Sequence, residues 1–195
     1  MTSQENRRIT DLGTLKAVSH PLRMRLYRAL FVARVATASQ LAEQVDEAVS
    51  LVSYHLRKLA DHGLIEEAEP QSADGRERWW QPSSRGVSVH DEDIRDSPEL
   101  VAANDAFSRI LGDQRAALHR RFVDERLTWS EEWRSASLSS EWLPKLTAAE
   151  LAALGKELDA VVEKYDQKAR AAEAAGDTEG RENVALHLHG FPYRG

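Results

Sequence analysis

Leu22, Leu26 and Leu30 recur at four-residue spacing behind Ser19-His20-Pro21, a cap followed by a proline suited to a first helical turn. A helix is predicted there, with helical periodicity beginning near Thr10 and Arg23, Arg25 and Arg28 on its polar side. Thr37-Ala38-Ser39-Gln40 has the form of a capping box ahead of Leu41, Ala42 and Val45, which predicts a second helix of about two turns. After Asp46-Glu47 a third helix follows, so the two are separated by the tight turn of a helix-turn-helix. In the third helix Val52, Leu56 and Leu59 make one apolar stripe, while Ser50, Ser53, Tyr54 and Arg57 make a polar one. His62-Gly63 ends it, glycine being suited to the left-handed C′ position, and Leu64-Ile65 starts an extended run.

Leu64–Glu69 and Glu77–Gln81 flank a segment containing Asp74-Gly75, a strong turn signal, and predict a β-hairpin with a mobile tip. Ser83-Ser84-Arg85-Gly86 and the acidic His90-Asp91-Glu92-Asp93 read as a linker. Ser97-Pro98-Glu99 then caps a long helix to about Leu127, with Leu100, Phe107, Leu111 and Leu118 as its stripe. Between Trp129 and Trp142 the alternation of Trp133, Ser135 and Ser137 with Arg134, Ala136 and Leu138 permits a strand. A second capping box, Thr147 to Glu150, opens a helix through Leu154, Leu158, Val161 and Tyr165 that should end near Gly176. Val184 to His189 alternates cleanly and predicts a last strand.

The fold class expected is therefore mainly α with a small β-hairpin wing: a winged helix-turn-helix domain over residues 8–88, then a helical region over 89–195 with room for a short two-stranded sheet. A chain of 195 residues can bury two such cores. No apolar run approaches the roughly 18 residues of a membrane span and the amino terminus carries no secretion signal, so a cytoplasmic location is expected. The absence of cysteine excludes disulfides, thiolate metal sites and thiol catalysis.

Charge refines this picture. Residues 1–90 hold 12 Lys+Arg against 11 Asp+Glu and residues 91–195 hold 14 against 21, so +1 and −7 give the net charge of −6. Acidity belongs to the carboxyl half and leaves the basic groups of the amino half available for local clustering.

A helix entering a groove about 12 Å wide needs little bulk in its first turns and donors for phosphates and base edges. Ser50, Ser53, Tyr54, Arg57 and Lys58 supply these, with Gln40 on the preceding helix and Arg76 and Arg78 on the wing. An ordinary solvated helix face would look the same in isolation; the short helix before it and the hairpin after it favour nucleic acid. Trp79 and Trp80 read as packing groups, one on each face of a strand. His55 and His62 suit packing or phosphate contact better than metal. His90, Asp91, Asp93, His119, His187 and His189 are too scattered to specify a metal site, and no cofactor or catalytic motif is present. Phe107, Trp129, Trp133, Trp142, His187 and His189 are candidate walls of an effector pocket, although such aromatic residues usually serve as core.

Ser19-His20-Pro21-Leu22-Arg23, Leu41-Ala42, Val52-Ser53-Tyr54-His55-Leu56-Arg57-Lys58-Leu59, Gly63-Leu64-Ile65 and Asp74-Gly75-Arg76, in this order, resemble the ArsR-type winged helix-turn-helix regulators over about residues 10–85. The resemblance implies a homodimer on a pseudo-palindromic double-stranded DNA operator, usually a repressor released by an effector. Two departures stand out. Ala48 occupies the position of the usual Ser or Thr helix cap, so Ser50 or Asp46 is expected to cap instead. The metal-binding cysteines of that family's sensors are missing, so the effector, a small molecule for instance, would be a non-thiol one. The alternatives are a winged helix used as a protein-interaction module, or an effector-binding carboxyl domain with the winged helix as accessory.

Overall fold

The computed structural model describes residues 6–71 and 77–194. The chain divides into two compact units, Met1–Val123 and Asp124–Gly195.

The first unit opens with β1 (Arg7–Arg8), α1 (Leu12–Val18) and α2 (Pro21–Ala33). Asp11 caps α1 by accepting from the Thr14 amide at 2.8 Å, and Pro21 takes the first turn of α2, where no amide partner is needed. β2 (Ala36–Thr37) leads directly into α3 (Ala38–Val45). Here the capping box forms in full: the Thr37 hydroxyl accepts from the Gln40 amide at 3.3 Å and Gln40 Oε1 accepts from the Thr37 amide at 2.9 Å. α4 (Val49–Asp61) completes a helical core in which Leu15, Leu26, Leu30, Leu41, Leu56 and Leu59 are sealed from solvent. Burial of each such side chain contributes roughly 1.5–3 kcal/mol, so the apolar stripes, more than helix propensity, hold these short helices together.

The helix-turn-helix turn depends on Asp46, which adopts the left-handed conformation at φ 52. That geometry is tolerated by a short polar side chain. Arg25 of α2 clasps the turn, donating to the Val45 carbonyl and lying 3.8 Å from the Glu47 carboxylate. The expected capping of α4 by Ser50 or Asp46 is not found. Ala48 is the N-cap and provides no side-chain bond, because Asp46 already terminates α3 and Ser50 lies within the helix.

At its far end α4 stops as expected. Gly63 has φ 61, its amide donates to Ala60 at 2.7 Å, and the Leu64 amide reaches Leu59 at 3.0 Å, the paired bonds of a Schellman stop. Any Cβ here would also meet the Arg7 guanidinium, which donates to the Gly63 carbonyl.

β3 (Ile65–Glu67) and β4 (Trp79–Pro82) form the predicted antiparallel hairpin, with Glu66 opposite Gln81. Its tip at Asp74-Gly75 lies outside the described residues. The sheet has a third strand that periodicity did not reveal: β2 pairs antiparallel with β4, Ala36 opposite Trp80, so the order is β2-β4-β3. β4 is central, and Trp79 and Trp80 are both buried in consequence.

The two stretches read as a linker, 83–86 and 90–93, are tied into the first unit. β5 (Val87–Ser88) pairs in parallel with β1, and α5 (Asp91–Ile94) follows at once, its Glu92 and Asp93 ion-paired to Arg8. The partner of this segment lies some 80 residues earlier, beyond the reach of a local pattern. α6 (Pro98–Glu125) is the expected long helix, with Phe107 in the core and Leu100 and Leu111 packed beside it.

The second unit contains a 3₁₀ turn (Arg126–Thr128), α7 (Glu131–Ala136) and α8 (Ala148–Ala174). The strand permitted between Trp129 and Trp142 is replaced by α7. The Ser130 hydroxyl accepts from the Trp133 amide at 3.3 Å, and Glu131 and Glu132 occupy the first turn, where carboxylates suit the helix dipole. α8 carries the predicted capping box, with Glu150 accepting from the Thr147 amide at 2.7 Å. It ends at Ala174, two residues before Gly176 at φ 75. Val184–His189 forms no strand, and the two-stranded sheet expected of this region is not found among the described residues. Alternation creates a two-faced segment, but a strand also needs a partner edge, and none pairs with it.

Candidate nucleic-acid interface

The apolar stripe of α4 fixes its rotation. Val52, Leu56 and Leu59 face the core, together with His55, which turns Ser50, Tyr54 and Arg57 outward; Ser53 is half-buried at the edge. Tyr54 is 48% exposed. Among the described residues no hydrogen bond or ion pair engages the Arg57 guanidinium. Lys58 is half-buried and lies 3.2 Å from Asp61.

The hairpin brings Arg78 beside this face. A shallow groove of about 410 Å³ is lined by Tyr54, Arg57, Lys58 and Arg78, with Trp80 and Asp61 completing it. Three cations thus converge against one carboxylate in a chain that is acidic overall. Arg78 is held in place on both sides: it is ion-paired with Glu67 on the adjacent strand, and its guanidinium carbon stands 5.7 Å from the Trp80 ring centroid. Arg76 lies outside the described residues. Gln40 is exposed on α3, but its side-chain oxygen is committed to the capping box, leaving the amide nitrogen as the group it could offer a phosphate.

Two features escaped the residue pattern. Val49 and Leu51, at the start of α4, are 46% and 40% exposed on the edges of the outward face, where they could meet thymine methyl groups. Their being out of phase with Val52 and Leu56 was the available signal. The second is the role of arginines on α2. Arg23 donates to the carbonyls of Ala17 and Lys16 at 2.6 and 2.9 Å and thereby caps the end of α1.

His55 is a buried support of α4. Its ring centroid lies 4.6 Å from that of His20, and the Nδ1 atoms of both rings are buried without a hydrogen-bond partner among the described residues. Burial first, then the neighbouring His20 and Arg23, pushes the His55 pKa down; Glu47 opposes. Burial and Arg23 push His20 down likewise. Both shifts favour the neutral ring, which suits packing. His62 is half-buried at the helix end.

The candidate effector residues are divided between the two units. Phe107 packs in the core of the first unit, Trp129 and Trp133 meet edge to face at 6.4 Å in the second, and Trp142 is 77% exposed. His187 and His189 belong to the segment without regular structure after α8, where each has an interaction partner. No cluster of three or more potential metal ligands occurs among the described residues, and no helix there is long and apolar enough to cross a membrane.

A family model described as a helix-turn-helix domain matches residues 18–68, which run from the end of α1 to just past β3. The chain thus carries a helix-turn-helix domain. Among solved structures, a disulfide-formed AbfR is similar at 18% identity with a TM-score of 0.30, the match covering 55% of this chain and 66% of that one, slightly under two thirds. A mutant ZitR of Lactococcus lactis is 14% identical, with a TM-score of 0.26 and coverage of 73% and 74%. Wild-type ZitR of the same organism in complex with DNA is 13% identical, with a TM-score of 0.25 and coverage of 72% and 73%. No curated protein matches the chain.

Proposed function

We propose that the chain is a homodimeric, sequence-specific DNA-binding transcriptional regulator of the ArsR type, a repressor released by a non-thiol effector and acting in the cytoplasm. The observation that carries the reading is the cationic groove in which Tyr54, Arg57 and Lys58 of α4 meet Arg78 of the wing, with Ser50 exposed nearer the start of the same helix. α4 would enter the major groove with Arg57 on a guanine edge or phosphate, Ser50 and Ser53 as donors and Tyr54 against a thymine methyl. Lys58, Gln40, Arg76 and Arg78 would hold the backbone and fix register. Residues 8–88 would form the DNA-binding domain and residues 89–195 would carry dimer contacts and any effector site, with no catalysis required of either. In a two-fold dimer the recognition helices meet successive major grooves about 34 Å apart.

The test is enrichment of bound fragments from random DNA, followed by gel-shift titration of the selected operator. Arg57→Ala is expected to weaken binding by roughly 1–3 kcal/mol and to relax sequence preference. Arg76→Ala should weaken binding more evenly across sequences and reduce the salt slope by about one. Unchanged operator affinity for Arg57→Ala would overturn the assignment of the recognition helix. The acidic carboxyl half favours one rival, a winged helix that docks on protein; failure to enrich any DNA even at low salt would select it.

A further inference from the structure

α8 carries an apolar stripe that stays substantially exposed, although the segment around Gly190 approaches its first member, Leu151. Leu154, Leu158, Val161 and Tyr165 follow one another at spacings of four, three and four, the repeat of a coiled-coil seam, and are 40%, 39%, 55% and 64% exposed. Leu151 precedes them in the same repeat and is half-buried.

The charges beside this stripe identify its occupant. Glu157 and Lys164 flank the seam on one side, seven residues apart. Two turns of helix, about 10 Å, separate them, so they cannot pair within one helix. Neither has an oppositely charged residue three or four positions away, and neither has an ion-pair partner among the described residues. Other charges of α8 do pair locally, Arg170 with Asp166 at 2.9 Å among them.

We infer that α8 pairs with α8 of a second copy of this chain in antiparallel orientation, with the two-fold axis between Leu158 and Val161; this rests on the homodimer proposed above and names one of its contacts. In that register Leu158 faces the second copy's Val161 and Leu154 faces its Tyr165. Glu157 of each copy then lies beside Lys164 of the other, offset by about two residues, or 3 Å along the axis, giving two symmetric ion pairs. A parallel pair would instead set Glu157 beside Val162 and Lys164 beside Ala169, leaving all four charges unmatched. The antiparallel arrangement also opposes the two helix dipoles.

Because the chain has no cysteine, the orientation can be read by cross-linking the full-length protein. Under mild oxidation a mixture of Leu154→Cys and Tyr165→Cys chains should form a disulfide-linked mixed dimer, while each variant alone should remain largely uncross-linked. Cross-linking of each variant with itself, or none in the mixture, overturns the pairing. In sedimentation equilibrium, Lys164→Glu should raise the dimer dissociation constant about tenfold by converting two attractions into repulsions, and adding Glu157→Lys should restore it. An unchanged constant for Lys164→Glu also overturns the pairing. The function proposed above is judged separately by gel shift: operator binding by a dimer whose α8 positions do not cross-link would sink only the pairing, and a cross-linked dimer without operator affinity would sink only the regulator reading.

Discussion

In the amino-terminal unit Leu26, Leu30, Leu41, Leu56 and Leu59 are sealed from solvent, whereas in the carboxyl-terminal unit Leu154, Leu158, Val161 and Tyr165 of the longest helix are all exposed. Both sets lie on helices with a clear apolar stripe, and α3 and α8 each open with a complete capping box. Among the described residues after Val123 none is buried, while the first unit holds a continuous core across α1 to α4 and β4. Helix formation and core formation are thus separable events. A stripe produces a core when other elements of the chain converge on it, as α2, α3 and the sheet converge on α4; on α8 the same kind of stripe stays largely exposed.

The largest break in this contrast is expected from Leu56→Ala. Removing a fully buried leucine should destabilise the amino-terminal unit by about 2–5 kcal/mol in chemical denaturation, while Val184→Ala, at a position 71% exposed, should stay within about 0.5 kcal/mol. Equal effects would show that the carboxyl-terminal unit has a core of its own.

Next is Gly63→Ala. It forces a side chain into the left-handed region, at roughly 1–2 kcal/mol, and drives its Cβ into Arg7, so the total loss should exceed the conformational part alone. Gly176 has the same backbone sign with open space around it, so Gly176→Ala should fray the end of α8 without lowering the midpoint of the amino-terminal unit.

The two capping boxes allow a matched test. Thr37 is buried and shared between β2 and α3, so Thr37→Ala should lower stability by about 1 kcal/mol. Thr147 is exposed, and Thr147→Ala should be visible only as a small loss of helicity by circular dichroism. A cooperative loss of stability from Thr147→Ala would contradict the contrast.

The smallest effect is the pH dependence of the core beneath α4. His20 and His55 are pushed below their ordinary value of 6.5, so the unfolded chain binds protons that the folded chain refuses. Their contribution is therefore complete above about pH 6.5 and is lost as pH falls through the depressed folded values. Denaturation midpoints should decline between pH 7.5 and 5.5, more steeply than for His55→Gln; identical slopes would remove the histidine pair as the cause.

Much of this unit was legible from local pattern. Pro21, the Thr37–Gln40 box and Gly63 act through their own geometry or bonds to near neighbours, and each ended or began a helix where the residues indicated. The outward placement of Ser50, Tyr54 and Arg57 followed from the phase of Val52 and Leu56. What local pattern missed lies in pairings between distant segments: β2 on β4, β5 on β1, and the approach of Arg78 to Arg57 across the groove. Val184–His189 shows the converse error, where perfect alternation met no second strand. Ala48 shows a third kind, since Asp46 ends α3 through its left-handed backbone and stands two residues ahead of the α4 N-cap.

Sequence alone determined the helices α2, α3, α4, α6 and α8, the capping boxes at Thr37 and Thr147, which face of α4 is polar and the absence of any thiol, because these depend on side-chain type and on spacings within a few turns. Only the tertiary structure decided which stripes become core, which strand is central and which cations share a groove, because those outcomes require groups far apart in the chain to meet, and a residue carries no local record of its distant neighbour.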